Sequence, residues 1–178
     1  MPGLGAELLR CLAGTQVVPR LVSERPQEWR LGALTVVVGR DRARLRYARE
    51  MVATAPPRAG EIAGAWRRAL ERLQARSLAP DELWPKLAAA YAKIRGARDR
   101  VPLVEVRAAL AGYTRAQFAW DLARLRRERR LAVGDRRIDL GIATGHATAR
   151  KSRVVWIEDD AGGGAFYESF RLITQEAT

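Results

Sequence analysis

Cysteine and histidine are almost missing from this sequence. Cys11 and His146 are the only residues of their kinds among 178. A single cysteine excludes an internal disulfide and any metal site built from several cysteines. With no second histidine and no cysteine near His146, a metal site or a Ser-His catalytic pair has no support. The sequence therefore predicts a non-enzymatic protein without metal or other cofactor, in a reducing, cytoplasmic setting.

Long apolar runs and nucleotide-binding signatures are also missing. No apolar stretch approaches the length of a membrane span, and no basic segment precedes the apolar residues near the N-terminus, so neither a membrane partner nor a signal peptide is predicted. Gly39 follows a strand pattern, but no Lys-Ser or Lys-Thr pair completes a phosphate-binding loop. The glycines at 162–164 precede no helix pattern, which excludes a dinucleotide-binding fingerprint.

Lysine is scarce, whereas arginine is abundant. Lys86, Lys93 and Lys151 are the only lysines among 32 basic side chains, and 20 acidic ones leave a net charge of +12 and a pI near 11.1. This balance favours an anionic partner, either nucleic acid or an acidic protein surface. The charge is uneven, because residues 1–100 carry +9 and residues 138–178 carry −2.

Residues 1–58 are predicted to form an N-terminal arm and β/α element that serves docking or oligomerisation. Prolines break residues 1–28, for which we expect an arm that is partly ordered by packing against another element, with one short helix over 7–13. Residues 33–38 are rich in valine and predict a strand. Pro56 and Pro57 mark the expected boundary with a second region, residues 59–178.

Residues 41–47 fit two structures. Arg42, Arg44 and Arg46 alternate with apolar residues, which favours a strand that presents a row of arginines on one face. A helix over 41–53 is the competing interpretation; we favour the strand to Tyr47 and a helix from Arg49. The row is either a phosphate contact or a solvated edge strand whose arginines prevent aggregation.

The second region has the periodicity of a mainly helical body. Helical spacing of apolar residues predicts helices over 61–76, 81–94, 101–111 and from 114 onwards, and short strands are expected over 131–133, 138–140, 153–157 and 165–173. The predicted fold class is mainly α with a small antiparallel β-sheet (α+β).

The helix that begins at Thr114 carries the clearest pattern. Thr114 and Gln117 form a capping pair, and Phe118, Leu122 and Leu125 form one apolar stripe. Arginines spread along one flank of this helix, a composition that suits phosphates and guanine edges. A solvated basic face is the competing explanation.

The order of elements from about residue 81 to 173 resembles the winged helix-turn-helix superfamily. Ala108 sits where the first helix of the motif must be small, and Gly112 where its turn needs a left-handed backbone. Thr114 caps the second helix, and Phe118 fills the core. Tyr113 occupies a position that is usually aliphatic. By this resemblance the recognition-helix candidates are Arg115, Gln117, Arg124, Arg126, Arg127 and Arg130, with Arg136 and Arg137 reaching phosphates from the adjoining turn.

The predicted function is a basic winged-helix protein that binds duplex DNA, either as a regulator or as a subunit of a larger assembly. A protein partner or a homodimer is also predicted. An alternative is a scaffold subunit whose winged helix packs on protein, which the acidic residues Glu158, Asp159 and Asp160 at the expected wing tip favour. RNA binding is a further alternative.

Overall fold

A computed structural model describes residues 3–149, 152–159 and 163–174 of the chain. Helices make up 38% of the structure and strands 32%, so the prediction of a mainly α protein with one small sheet is wrong. The chain has two five-stranded sheets, and every strand pair is antiparallel. It divides into two compact units, Met1–Arg76 and Ser77–Thr178.

The first unit is a meander of five strands with two helices. The strands pair in chain order, each with the next along the sequence. The bounds are α1 Leu4–Cys11, β1 Arg20–Glu24, β2 Gln27–Leu31, β3 Leu34–Val38, β4 Ala43–Tyr47, β5 Glu50–Ala55 and α2 Ala59–Ala75. The strand interpretation of residues 41–47 is therefore confirmed, and α2 groups with this unit by its contacts.

Two expectations for this unit are wrong. The helix expected from Arg49 is strand β5, because Ala48 (φ 49°) and Arg49 (φ 67°) form a tight turn between β4 and β5. Both central residues of such a hairpin turn need positive φ, and the usual Asn-Gly signal is missing here. The later part of the arm expected over residues 1–28 instead contributes to the first hairpin of the sheet, formed by β1 and β2, while α1 overlaps the short helix expected over 7–13.

Both helices pack on the same face of this sheet. The indole Nε1 of Trp66 in α2 donates a hydrogen bond to the Leu31 carbonyl at 2.9 Å. In α1, Gly5 lies so close to the Trp29 ring that an added Cβ would overlap it. Leu31, Val36 and Leu45 are fully buried beneath the helices. Among the described residues of this unit, no helix packs on the opposite face of the sheet.

The described part of the second unit combines helices of different lengths with a five-stranded sheet. The bounds are α3 Pro80–Arg95, β6 Val101–Pro102, α4 Leu103–Ala109, α5 Arg115–Arg127, β7 Ala132–Val133, β8 Arg136–Ile142, α6 His146–Ala149, β9 Val155–Glu158 and β10 Gly164–Thr174. The strand order is β6-β10-β8-β7, and β9 pairs with β10.

The start of α5 follows the sequence pattern. The Thr114 hydroxyl accepts a hydrogen bond from the Gln117 amide at 3.1 Å, which confirms the cap. Phe118, Leu122 and Leu125 are fully buried, and Gly112 has a φ of 79°. Ala108, however, is exposed rather than packed beneath α5; Val106 of α4 is buried instead.

The C-terminal hairpin differs from the expected acidic tip. Glu158 belongs to β9 and is 8% exposed, so it is not a tip residue. Asp159 follows the strand, and its carboxylate accepts a hydrogen bond from the Gly163 amide at 2.8 Å. Asp160 lies outside the described residues. Among the helices of the described ranges, none is long and apolar enough to cross a membrane.

Candidate nucleic-acid interface

The face of the first sheet opposite its helices carries arginine on three of five strands. Residues directly opposite each other on paired strands share a face. The register aligns Arg20 with Arg30, Arg30 with Thr35, and Thr35 with Arg46. Arg44 lies on the same face, opposite Val37. We call this surface the arginine face; it comprises Arg20, Arg30, Arg44 and Arg46, together with Arg42 at the head of β4.

The alternation along β4 explains why these arginines point outward. The side of the sheet under the helices buries Ala43, Leu45 and Tyr47. Successive side chains of a strand point to opposite faces, so Arg44 and Arg46 must lie on the other face. Because β4 pairs with β3 on one side and β5 on the other, it is an interior strand. The edge-strand explanation for its arginines therefore does not apply, since protection against edge pairing is needed only at sheet edges.

The arginines of β4 are not neutralised by neighbours. Within the described ranges, the side chains of Arg42, Arg44 and Arg46 make no hydrogen bond or ion pair. Arg30 is held in place, since its guanidinium donates to the Gly32 carbonyl at 2.7 Å and to the Thr35 hydroxyl at 3.3 Å. Glu28 is the one acidic side chain that the register of β1–β5 places on this face.

The arginine face also lacks aromatic side chains. Trp29 and Tyr47 are the aromatic residues of β1–β5, and the register places both on the helix-covered side. Surfaces that bind single strands usually stack bases on aromatic rings. The chemistry of this face suits phosphate contacts rather than base stacking.

Most arginines predicted for the recognition helix are engaged by the chain itself. The Arg115 guanidinium donates to the Val154 carbonyl, and that of Arg124 to the Leu78 carbonyl. Arg126 lies over the Tyr167 ring, 5.5 Å from its centroid. Arg130 forms an ion pair with Asp81 at 2.5 Å, and Gln117 is buried, with 6% exposed. These residues hold α5 in place.

A buried carboxylate that the sequence did not single out fixes α5 further. Asp121 is fully buried and accepts hydrogen bonds from the Ser77 hydroxyl and, at 3.0 Å, from the Tyr113 hydroxyl. Burial raises the pKa of Asp121 above its usual range, although both hydrogen bonds and the charge of Arg124 oppose this. Burial and the neighbouring Asp121 likewise raise the pKa of Tyr113.

A second group of arginines is exposed near the end of α5. These are Arg127 in the last turn of α5, Arg129 just beyond that helix, and Arg136 and Arg137 on β8; we call them the basic hairpin. Three of them were predicted, and Arg129 was missed. This surface also contains the exposed acidic residues Glu128 and Asp135. Its charge is therefore more mixed than that of the arginine face.

The backbone of Arg129 is unusual. After α5 the Arg129 amide donates to the Arg126 carbonyl at 3.0 Å, and the Arg130 amide to the Leu125 carbonyl at 2.8 Å. This pair of bonds is the Schellman ending of a helix, which places one residue in the left-handed region, usually glycine. Arg129 occupies that position, with φ 56°. A strained residue of this kind often marks a functional site.

Elsewhere in the second sheet, arginines are paired. Arg171 contacts Asp99 and Asp139, each at 2.9 Å, and Arg100 also pairs with Asp139. Slight burial would raise the pKa of Asp139, but hydrogen bonds from Arg171 and the charges of both arginines outweigh it and lower the pKa. These arginines cross-link β8, β10 and the loop before β6, so they are not part of a binding surface.

No group of three or more potential metal ligands occurs in the described part of the chain. Comparison with known proteins gives no matching family model, no similar curated protein and no similar solved structure.

Proposed function

We propose that this chain is a non-enzymatic protein that binds duplex DNA through its phosphate backbone, as a regulator or as a subunit of a larger assembly. The observation that carries the proposal is the row Arg42, Arg44 and Arg46: unneutralised cations on an interior strand, on the one sheet face that the helices of the unit leave open. Guanidinium groups are well suited to phosphate oxygens.

Phosphate contact fits this surface better than base recognition by α5. Arginines that already bind the Val154 and Leu78 carbonyls or Asp81 are not available to base edges without breaking those contacts. Contacts to phosphates position a protein on DNA but carry no direct sequence information. We therefore assign DNA contact to the arginine face and, as a second surface, to the basic hairpin, and no longer to the buried or engaged side chains of α5.

For the C-terminal unit, the winged-helix likeness remains a proposal. It is supported by the order α3, β6, α4, α5, β8 and β10, by the pairing of β6 with β10, and by the left-handed Gly112 between α4 and α5. In this proposal α5 serves mainly as a structural support, and the basic hairpin beside it makes the DNA contacts.

The test is equilibrium binding of a fluorescent DNA duplex, measured by anisotropy at low salt. The triple variant Arg42→Gln, Arg44→Gln, Arg46→Gln should bind roughly tenfold or more weakly, because three phosphate contacts are lost. The control removes three exposed arginines from the helical side of the same unit: Arg10→Gln, Arg58→Gln, Arg68→Gln. Both variants lose the same net charge, so equal weakening would show that only overall charge matters and would refute the assigned surface.

A second candidate is protein docking by the C-terminal unit, and a specific depression favours it. Trp84, Pro85, Ala88 and Val133 line a hollow of about 330 Å³, and Val133 is 43% exposed. Apolar hollows with charged rims are common at protein interfaces. If docking is the main role, an untagged partner co-purifies with the wild type but not with Val133→Glu, and no DNA binding is detected for either protein.

A further inference from the structure

From the register of the first sheet, we infer that the arginine face lies across the minor groove of a duplex. The β4 row follows one phosphate backbone, and Arg20 on β1 reaches the other. This inference rests on the proposed function and adds the groove and the division of contacts between the two strands.

The spacing along β4 suits one backbone. Residues two apart on a strand lie about 6.7 Å apart. Neighbouring phosphates along one nucleic-acid strand are separated by a similar distance, so Arg42, Arg44 and Arg46 can each face a successive phosphate. A row of this kind would contact one strand whether or not a second strand is present.

The spacing across the sheet suits a second backbone. Neighbouring strands are about 4.8 Å apart. In the row Arg46, Thr35, Arg30 and Arg20, Arg20 lies three strands, or roughly 14 Å, from Arg46. The minor groove is about 6 Å wide between its phosphate surfaces, which places phosphate centres roughly 12 Å apart across it. The exposed Arg20 lies close to this distance, whereas the Arg30 guanidinium already bonds the Gly32 carbonyl and the Thr35 hydroxyl.

The residues between the two charged margins are compatible with this placement. Thr35 and Val37 of β3 occupy the middle of the face, and neither is charged or large. A central strand of small side chains lets a sheet approach the groove between two rows of guanidinium groups. Glu28, the acidic residue of the face, lies on β2 two residues from Arg30, in the row that contains Ser23, Val37 and Arg44. It leaves the β4 margin basic, and on the other margin the basic end is the one that carries Arg20.

The experiment compares a duplex with one of its own strands, by anisotropy titrations over a range of salt concentrations. On duplex, each phosphate contact contributes about −0.9 to the slope of log K against log salt, and on a single strand about −0.7. Arg20→Gln should make the duplex slope shallower by about 0.9. This change should not alter the single-strand slope, because the β4 row alone contacts a single strand.

A second experiment identifies the groove by competition. A minor-groove-binding polyamide should displace the wild-type protein from the duplex. A bulky substituent at C5 of the pyrimidines, which projects into the major groove, should leave the binding of the protein unchanged. The inference is overturned if Arg20→Gln changes both slopes equally or neither, or if the polyamide does not compete. Those outcomes leave the proposed function intact, since the duplex is still bound. Absence of binding to any nucleic acid would instead refute the proposed function itself.

Discussion

At the scale of single residues, Arg129 combines a cost in stability with a charge at the basic hairpin. A residue with a Cβ in the left-handed region costs about 1 kcal/mol relative to glycine. The Schellman bonds around Arg129 hold it there, so the strain is imposed by the way α5 ends. An arginine at a position suited to glycine is consistent with selection for charge rather than stability.

Replacing this residue separates the two properties. Arg129→Gly should raise the free energy of unfolding by about 1 kcal/mol, as measured by urea denaturation, because the left-handed backbone is then unstrained. The same variant should bind duplex DNA more weakly. Arg129→Asn, which also tolerates this backbone but lacks the charge, is the matched control and should weaken binding equally. A glycine variant that is less stable than the wild type would contradict the account of the strain.

Asp121 predicts a distinct pH dependence. Because burial raises its pKa in the folded protein, the folded state binds the proton more tightly than the unfolded state. Its contribution to stability therefore falls as the pH rises from the unfolded pKa to the folded pKa, and is constant outside that window. The side chain in Asp121→Asn cannot titrate. The wild type should therefore lose stability relative to the variant as the pH rises through that window. Urea unfolding at a series of pH values would show a constant difference if Asp121 had an ordinary pKa.

At the scale of elements, alternate residues of β4 have different roles. Those on the helical side stabilise the first unit, and those on the open side are proposed to bind DNA. Leu45 is fully buried on the helical side, whereas Arg44 is exposed on the open side. Leu45→Ala should therefore destabilise the first unit by about 2 to 5 kcal/mol. Arg44→Ala should change stability by less than about 0.5 kcal/mol and should weaken DNA binding. Urea denaturation and anisotropy on the same two proteins check this, and similar losses of stability in both would contradict the assigned faces.

Elements with strong periodicity were predictable from the sequence, and those joined by unusual turns were not. The arginine alternation of β4, the apolar spacing of α2 and α3 and the cap at Thr114 all predict what the structure contains. The strand β5 was missed because Ala48 and Arg49 adopt positive φ without the residues that normally signal it. The hairpin of β1 and β2 was missed because prolines near it suggested an irregular arm.

The candidate site was only partly predictable for a similar reason. Spacing shows which residues share one face of a helix, but not which face another element covers. The arginines of α5 looked available because nothing in the sequence indicates that Val154, Leu78 or Tyr167 would engage them. The row on β4 could be assigned to one face, but its interior place in the sheet depends on pairing with β5.

At the scale of the whole molecule, both units are basic, and the first more so. Residues 1–76 contain 14 basic and 7 acidic side chains, a net charge of +7, and residues 77–178 contribute +5. General attraction to an anionic polymer is expected from such charge alone. We propose something more specific than this general attraction. A particular set of arginines, on one face of one sheet, makes the phosphate contacts.

The most direct test of that claim is the salt dependence of duplex binding. The wild type should lose affinity steeply with salt, and Arg42→Gln, Arg44→Gln, Arg46→Gln should make the slope of log K against log salt shallower by about 2.7, since three phosphate contacts disappear. Arg10→Gln, Arg58→Gln, Arg68→Gln removes equal charge from the helical side and should leave the slope unchanged. If both triple variants give the wild-type slope, or both shift it equally, the arginine face is not the DNA-binding surface.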